Sequence, residues 1–129
     1  MPTIANVTLL VPSYDEGLAF YVDALGFDLV ADTDLGDGKR WVLVRPAGGS
    51  GPALLLAEPA NERQAARIGD QTGGRVGFFL FTEDFAGDHA KMTDRGVVFL
   101  EAPRTESYGT VAVFMDPFGN KWDLLQPAG

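Results

Sequence analysis

Gly26-Phe27-Asp28-Leu29-Val30 and Gly96-Val97-Val98-Phe99-Leu100 decide the fold, because each follows a helix-like stretch and opens a series of strand-like runs. Upstream of Gly26, Leu18, Tyr21, Val22 and Leu25 recur at helical spacing, and Ser13 with Glu16 forms a capping box at the start. Upstream of Gly96, Phe85, His89 and Met92 fall on one stripe of a helix predicted over 83–95, with acidic residues in its first turn. Each glycine is expected to take the left-handed conformation that ends a helix. Working outward, strands are predicted at Thr3–Val11, Phe27–Thr33, Lys39–Arg45 and Pro52–Glu58 in the first half. In the second half they are predicted at Arg75–Thr82, Val97–Glu101, Tyr108–Met115 and Lys121–Gln126. A short connecting helix is expected over 61–68, and Gly73-Gly74 closes it.

The order β-α-β-β-β therefore occurs twice. Identity between the halves is low, so the repeat is one of architecture. One unit alone leaves a curved sheet with an uncovered face. Two units side by side can close it into a concave mixed-sheet cup with helices outside. The expected fold is α+β, a single domain over 1–129, with unit one at 3–59, a linker at 60–73 and unit two at 74–127. A ferredoxin-like α+β sandwich is the alternative topology.

Composition narrows the function classes. The chain has 129 residues, enough for one compact domain with a real core. Ten basic against eighteen acidic residues leave a formal charge of −8, which argues against nucleic-acid backbones and anionic membranes. No stretch approaches the roughly 18 uninterrupted apolar residues of a membrane span. Cysteine is absent, which removes disulfides, thiolate ligands and a cysteine nucleophile. Met1-Pro2-Thr3 does not open a secretory signal, and a cytoplasmic protein is expected. Phosphate loops, dinucleotide glycine fingerprints and serine elbows are missing.

Two segments carry a family resemblance. Asn6-Val7-Thr8-Leu9-Leu10-Val11, followed by Ala19-Phe20-Tyr21 and Leu25-Gly26-Phe27, is similar to the opening "H-V-x-L-x-V … F-Y-x-x-x-L-G-F" of the vicinal-oxygen-chelate superfamily (glyoxalase, bleomycin-resistance and extradiol dioxygenase-like proteins). Asp116-Pro117-Phe118-Gly119-Asn120-Lys121-Trp122-Asp123-Leu124 resembles its closing "D-P-x-G-N-x-x-E-L". The resemblance covers nearly the whole chain. It implies a divalent metal in the cup, held by residues from the first and fourth strands of each unit, which would neutralise charge on a chelated substrate. Carried over, it puts Asn6 and Arg75 at the two histidine positions, and Leu56 and Asp123 at the two carboxylate positions.

That set is a poor cage, since leucine and guanidinium have no lone pair to give and a neutral amide is a weak ligand. An Arg75–Asp123 ion pair is expected in the metal's place, and no cofactor. If a metal binds after all, Asp123, Glu58 and Asn6 are its expected ligands, Glu58 by sharing the strand face of Leu56. Strand alternation then turns Asn6, Thr8, Leu10, Leu54, Gly77, Phe79, Phe81 and Leu125 to the cup, and Val7, Leu9, Val76, Phe78, Leu80, Trp122 and Leu124 to the helices. His89 reads as a packing residue of the outer helix layer. Tyr108 is placed at the cup mouth, and the face of Trp41 is left open.

The function expected is that of a small-molecule-binding protein of the bleomycin-resistance type with a degenerate metal site. Its ligand would touch Asn6, Thr8, Leu56, Arg75, Phe79, Tyr108 and Asp123. The alternative is a metal-dependent lyase, isomerase or dioxygenase with altered ligands, or a metal-free enzyme holding an anionic substrate on Arg75. The expected partners are a small organic molecule and, on family grounds, a second copy in a homodimer. Nucleic acid and membrane are not expected.

Overall fold

Two units, Met1–Ile68 and Gly69–Gly129, each carry one mixed sheet in the computed structural model, which describes every residue from Met1 to Gly129. The first unit runs β1 (Asn6–Leu10), α1 (Tyr14–Leu18), β2 (Asp28–Gly36), β3 (Lys39–Arg45), β4 (Ala53–Ala57) and a short α2 (Glu62–Ala65). The second runs β5 (Val76–Phe81), α3 (Phe85–Asp94), β6 (Val98–Phe99), β7 (Arg104–Glu106), β8 (Gly109–Met115) and β9 (Lys121–Pro127). Both sheets share one order, β1-β4-β3-β2 and β5-β9-β8-β6. The first and last strands of each unit pair parallel and the rest antiparallel. The α+β class and the repeated unit stand as expected.

Local chemistry explains the elements. Ser13 is extended (φ −150°), accepts from the Glu16 amide at 3.1 Å, and its hydroxyl donates to the Glu16 carboxylate at 2.9 Å. The capping box thus closes hydroxyl to carboxylate. After Leu18 the helix widens into a π-helical turn, Ala19–Ala24, where the Leu25 amide reaches the Phe20 carbonyl at 2.8 Å. Apolar periodicity does not separate π from α winding over so few residues. Gly26 (φ 81°) and Gly96 (φ 87°) take the left-handed conformation that closes each helix.

Core residues lie between each sheet and its helices. Leu9, Val42, Val44 and Leu56 are buried in the first unit, and Phe114, Trp122 and Leu124 in the second. Phe78 stacks on Trp122 at 4.5 Å between ring centroids. Phe78, Leu80, Trp122 and Leu124 share this side as alternation predicts, with the buried Trp122 and Leu124 fixing the frame. A register shift between Val76 and Phe78 pairs Val76 with Lys121, so the alternation expected for Val76 and Gly77 does not carry across it. The Asp116–Asn120 turn is tied internally. Asp116 Oδ1 accepts from the amides of Phe118 and Asn120 at 3.0 and 2.8 Å, and Oδ2 from the Asn120 side chain at 2.7 Å. Both residues are buried, so the D-P-x-G-N signature is a structural turn that sets the entry of β9. No helix is long and apolar enough to cross a membrane.

The two sheets differ at one strand. Positions correspond at a constant offset, 28 to 98, 36 to 106, 39 to 109 and 45 to 115. The first unit has one strand, β2, with a bulge between Leu29 and Ala31. The second has two short strands, β6 and β7, pairing opposite ends of β8. Strand β7 falls in 103–108, a segment that reads as loop in the sequence.

Candidate functional site

The break between β6 and β7 builds the most polar part of the second sheet. Leu100 still donates its amide to the Val113 carbonyl at 2.8 Å, but no backbone carbonyl follows to accept from the Val113 amide. The Glu101 carboxylate takes that place, accepting at 2.9 Å. It also receives Arg104 Nε, at 3.2 Å to each oxygen. Arg104 Nη1 donates in turn to Glu106 at 3.2 Å and to the Tyr108 hydroxyl at 3.3 Å. One guanidinium is therefore held by two carboxylates and a phenol from β7 and the segments on either side of it.

Register puts Asp123 beside this cluster. On one face of the sheet, Phe79 (β5), Asp123 (β9) and Val113 (β8) form a row, and Phe81, Leu125, Val111 and Arg104 form the next. Phe79 and Phe81 are 62% and 66% exposed on this face, opposite the side that buries Trp122 and Leu124. Asp123 Oδ1 is buried without a hydrogen-bond partner. Desolvation raises the Asp123 pKa above its ordinary value; the Arg104 charge opposes that shift and the Glu101 charge adds to it. A buried carboxylate oxygen with no donor is costly to stability.

The expected residues distribute as follows. Phe79, Phe81, Leu125 and Asp123 share the face assigned to them, and Tyr108 stands at its edge, half-exposed and bonded to Arg104. In the first unit, Thr8 pairs with Leu55 on the side opposite the buried Leu9 and Leu56, and exposed Asn6 opens the same strand. Trp41 alternates with buried Val42 and Val44, which places it on that opposite side, 39% exposed.

Four expectations need correction. Leu56 pairs with Leu9 and is 1% exposed, and its Cδ1 would lie 3.0 Å from a Cβ added at Gly17 of α1, so it faces the helix as core. Leu54, paired with Val7 and Val44, goes with it. The alternation was started one residue out of phase on β4, and a period of two then inverts every side chain. Glu58 is likewise turned to α1, where its carboxylate accepts from the Tyr14 amide at 3.0 Å, a free donor of the first helical turn. Arg75 does not pair with Asp123. It is exposed just before β5, and its carbonyl accepts from the Thr72 hydroxyl at 2.6 Å. Val7, though on the core side, remains 45% exposed near the strand start. His89 packs between Phe85 and Phe99, with ring centroids at 5.7 and 4.1 Å, as a helix-layer residue.

The residues do not fit a metal cage. No three His, Asp or Glu side chains gather in a way that could hold an ion. Glu58 is engaged with a helix end, Asn6 offers a weak amide, and the carboxylate nearest Asp123, Glu101, is already engaged by Arg104 and the Val113 amide. The hollow at the β2–β3 hairpin, lined by Asp32, Asp34, Asp37 and Arg40, is also self-satisfied. Arg40 pairs with Asp32 at 2.7 Å and Asp15 at 3.0 Å, which holds the Asp32 carboxyl below its ordinary range, and Asp34 accepts from the Gly36 amide. Sequence reading missed Glu101 and Arg104, because their role depends on a strand break that no pattern marks.

Known proteins share this fold. A relative in Shewanella frigidimarina is 48% identical over 125 residues, covering 96% of this chain and 93% of its own. A solved structure of a glyoxalase/bleomycin resistance protein/dioxygenase superfamily member from Sphaerobacter thermophilus is 30% identical, with a TM-score of 0.80 and coverage of 98% of both chains. TnmS3, described as an antibiotic binding protein from a Streptomyces species, is also 30% identical, with a TM-score of 0.78 over 99% of this chain and 98% of its own. The family model of the Glyoxalase/Bleomycin resistance protein/Dioxygenase superfamily matches residues 3–124, and the chain belongs to that superfamily.

Proposed function

We infer that the chain is a metal-free, small-molecule-binding member of its superfamily, which holds an organic ligand on the open sheet face of the second unit. The observation that carries this reading is the row Phe79–Asp123–Val113, an exposed aromatic beside a carboxylate with an unpartnered buried oxygen. Apolar lining with a few convergent polar groups is the composition of a small-molecule site. Likeness to an antibiotic binding protein supports the same class of ligand. Tyr108 and Arg104 border the site, and Thr8 and Trp41 offer a comparable but less polar face in the first unit. A homodimer belongs to the reading, supported by the apolar side chains Val7, Phe79, Phe81 and Val98 left exposed in one chain. Function is sequestration, so binding alone suffices and no residue is required as a catalyst.

The test is a thermal-shift screen of aromatic organic molecules, run beside nickel, zinc, manganese and ferrous iron. Stabilisation by organic molecules and none by metals is expected. Stoichiometric metal binding lost in Asp123→Asn would instead favour an enzyme of the lyase, isomerase or dioxygenase type.

A further inference from the structure

We propose that the Asp123 site selects organic cations, taking a protonated amine on the carboxylate and an apolar or aromatic body against Phe79. The proposal rests on the binding reading above and adds the chemical class of the ligand. Arg104 pairs with both Glu101 and Glu106, and Asp123 lies close enough to feel the charges of Arg104 and Glu101 without pairing with either. Arg104 is already held by Glu101 and Glu106, so one negative group of the cluster has no compensating partner in contact, and that group is Asp123. Other cations do not reach it. Lys121, two residues before Asp123 on the same strand, donates to the Gly74 carbonyl at 3.3 Å, and Arg75 makes no ion pair with it.

A partly desolvated carboxylate beside low-dielectric surface attracts a cation more strongly than one in water. Phe79, directly in register with Asp123, supplies an exposed ring face for cation–π contact and for the ligand's apolar body. An anionic ligand would be repelled by the carboxylates, and a neutral donor could hydrogen-bond Asp123 but would bring no charge to compensate it. The preference is thus built from charge number and register together.

Three probes of one shape separate the possibilities: 1-naphthylmethylamine, 1-naphthalenemethanol and 1-naphthoate, titrated at neutral pH into the full-length protein and followed by amide chemical shifts. The amine is expected to bind about tenfold more tightly than the alcohol, with naphthoate weakest. Asp123→Asn, which keeps the side-chain shape, should remove the amine's advantage while leaving alcohol binding in place. Arg104→Gln, which deletes the one nearby cation, should tighten the amine further. Equal affinity for amine and alcohol, or an amine preference that survives in Asp123→Asn, overturns cation selectivity while leaving small-molecule binding intact. Failure of all three probes to bind, together with no hit among uncharged aromatics in the thermal-shift screen, overturns both.

Discussion

The two units share one topology and use their charged groups in opposite ways. In the first, Arg40 joins Asp32 of the sheet to Asp15 of α1 and lies over the Tyr14 ring at 5.2 Å, while Glu58 caps the same helix at Tyr14. Its titratable side chains hold a helix to a sheet. In the second, strand β2's counterpart is broken into β6 and β7, and Glu101 fills the gap by accepting from the Val113 amide. That substitution pins Arg104 on the sheet and leaves Asp123 next to it with an unpaired buried oxygen. Two copies of one topology thus place their charged groups in different contacts, and the two sheets differ by a single interrupted strand.

The contrast breaks most sharply at Leu56. If it were a ligand position, Leu56→Glu would rebuild a carboxylate and create metal affinity. Because Leu56 is buried against α1, the charge would instead be forced into the core, and a loss of about 3–5 kcal/mol or outright unfolding is expected. Chemical denaturation with a parallel metal titration checks both halves of that statement. Glu58→Ala sharpens the comparison more gently. Removing the acceptor for the Tyr14 amide should cost about 1 kcal/mol, read as a lower denaturation midpoint, with ligand affinity in the second unit unchanged.

Asp123→Asn has the smallest expected effect on stability, and the opposite sign. A carboxyl whose folded pKa is raised binds its proton more tightly folded than unfolded, so stability falls as pH climbs from the unfolded value of about 3.8 through the raised one. The amide has no such titration. The variant should therefore melt slightly higher than the parent near neutral pH, and its melting curve should lack that fall. A pH series of thermal melts on both proteins reads this directly, and a parent no less stable than the variant at neutral pH would contradict it.

Much of the fold was legible because its determinants are local. Ser13 with Glu16 caps α1, Gly26 and Gly96 end two helices, and Asp116 ties its own turn within four residues. Period-two alternation on β9 separated Trp122 and Leu124 from Asp123 correctly, since the apolar residues there alternate cleanly with the others. On β4 the run Ala53-Leu54-Leu55-Leu56-Ala57 is apolar throughout, so it carries no phase, and both Leu56 and Glu58 were turned the wrong way.

What the sequence alone determined is therefore the repeated βαβββ order, the helix ends marked by caps and glycines, and the face of β9 that carries Asp123. These depend on contacts between near neighbours or on a strict period. Only tertiary structure decided that Leu56 is core, that Arg75 stands apart from Asp123, and that Glu101 and Arg104 pair beside Asp123. Each of those depends on strand register or on a break in pairing, and register is set by partners far away in the chain.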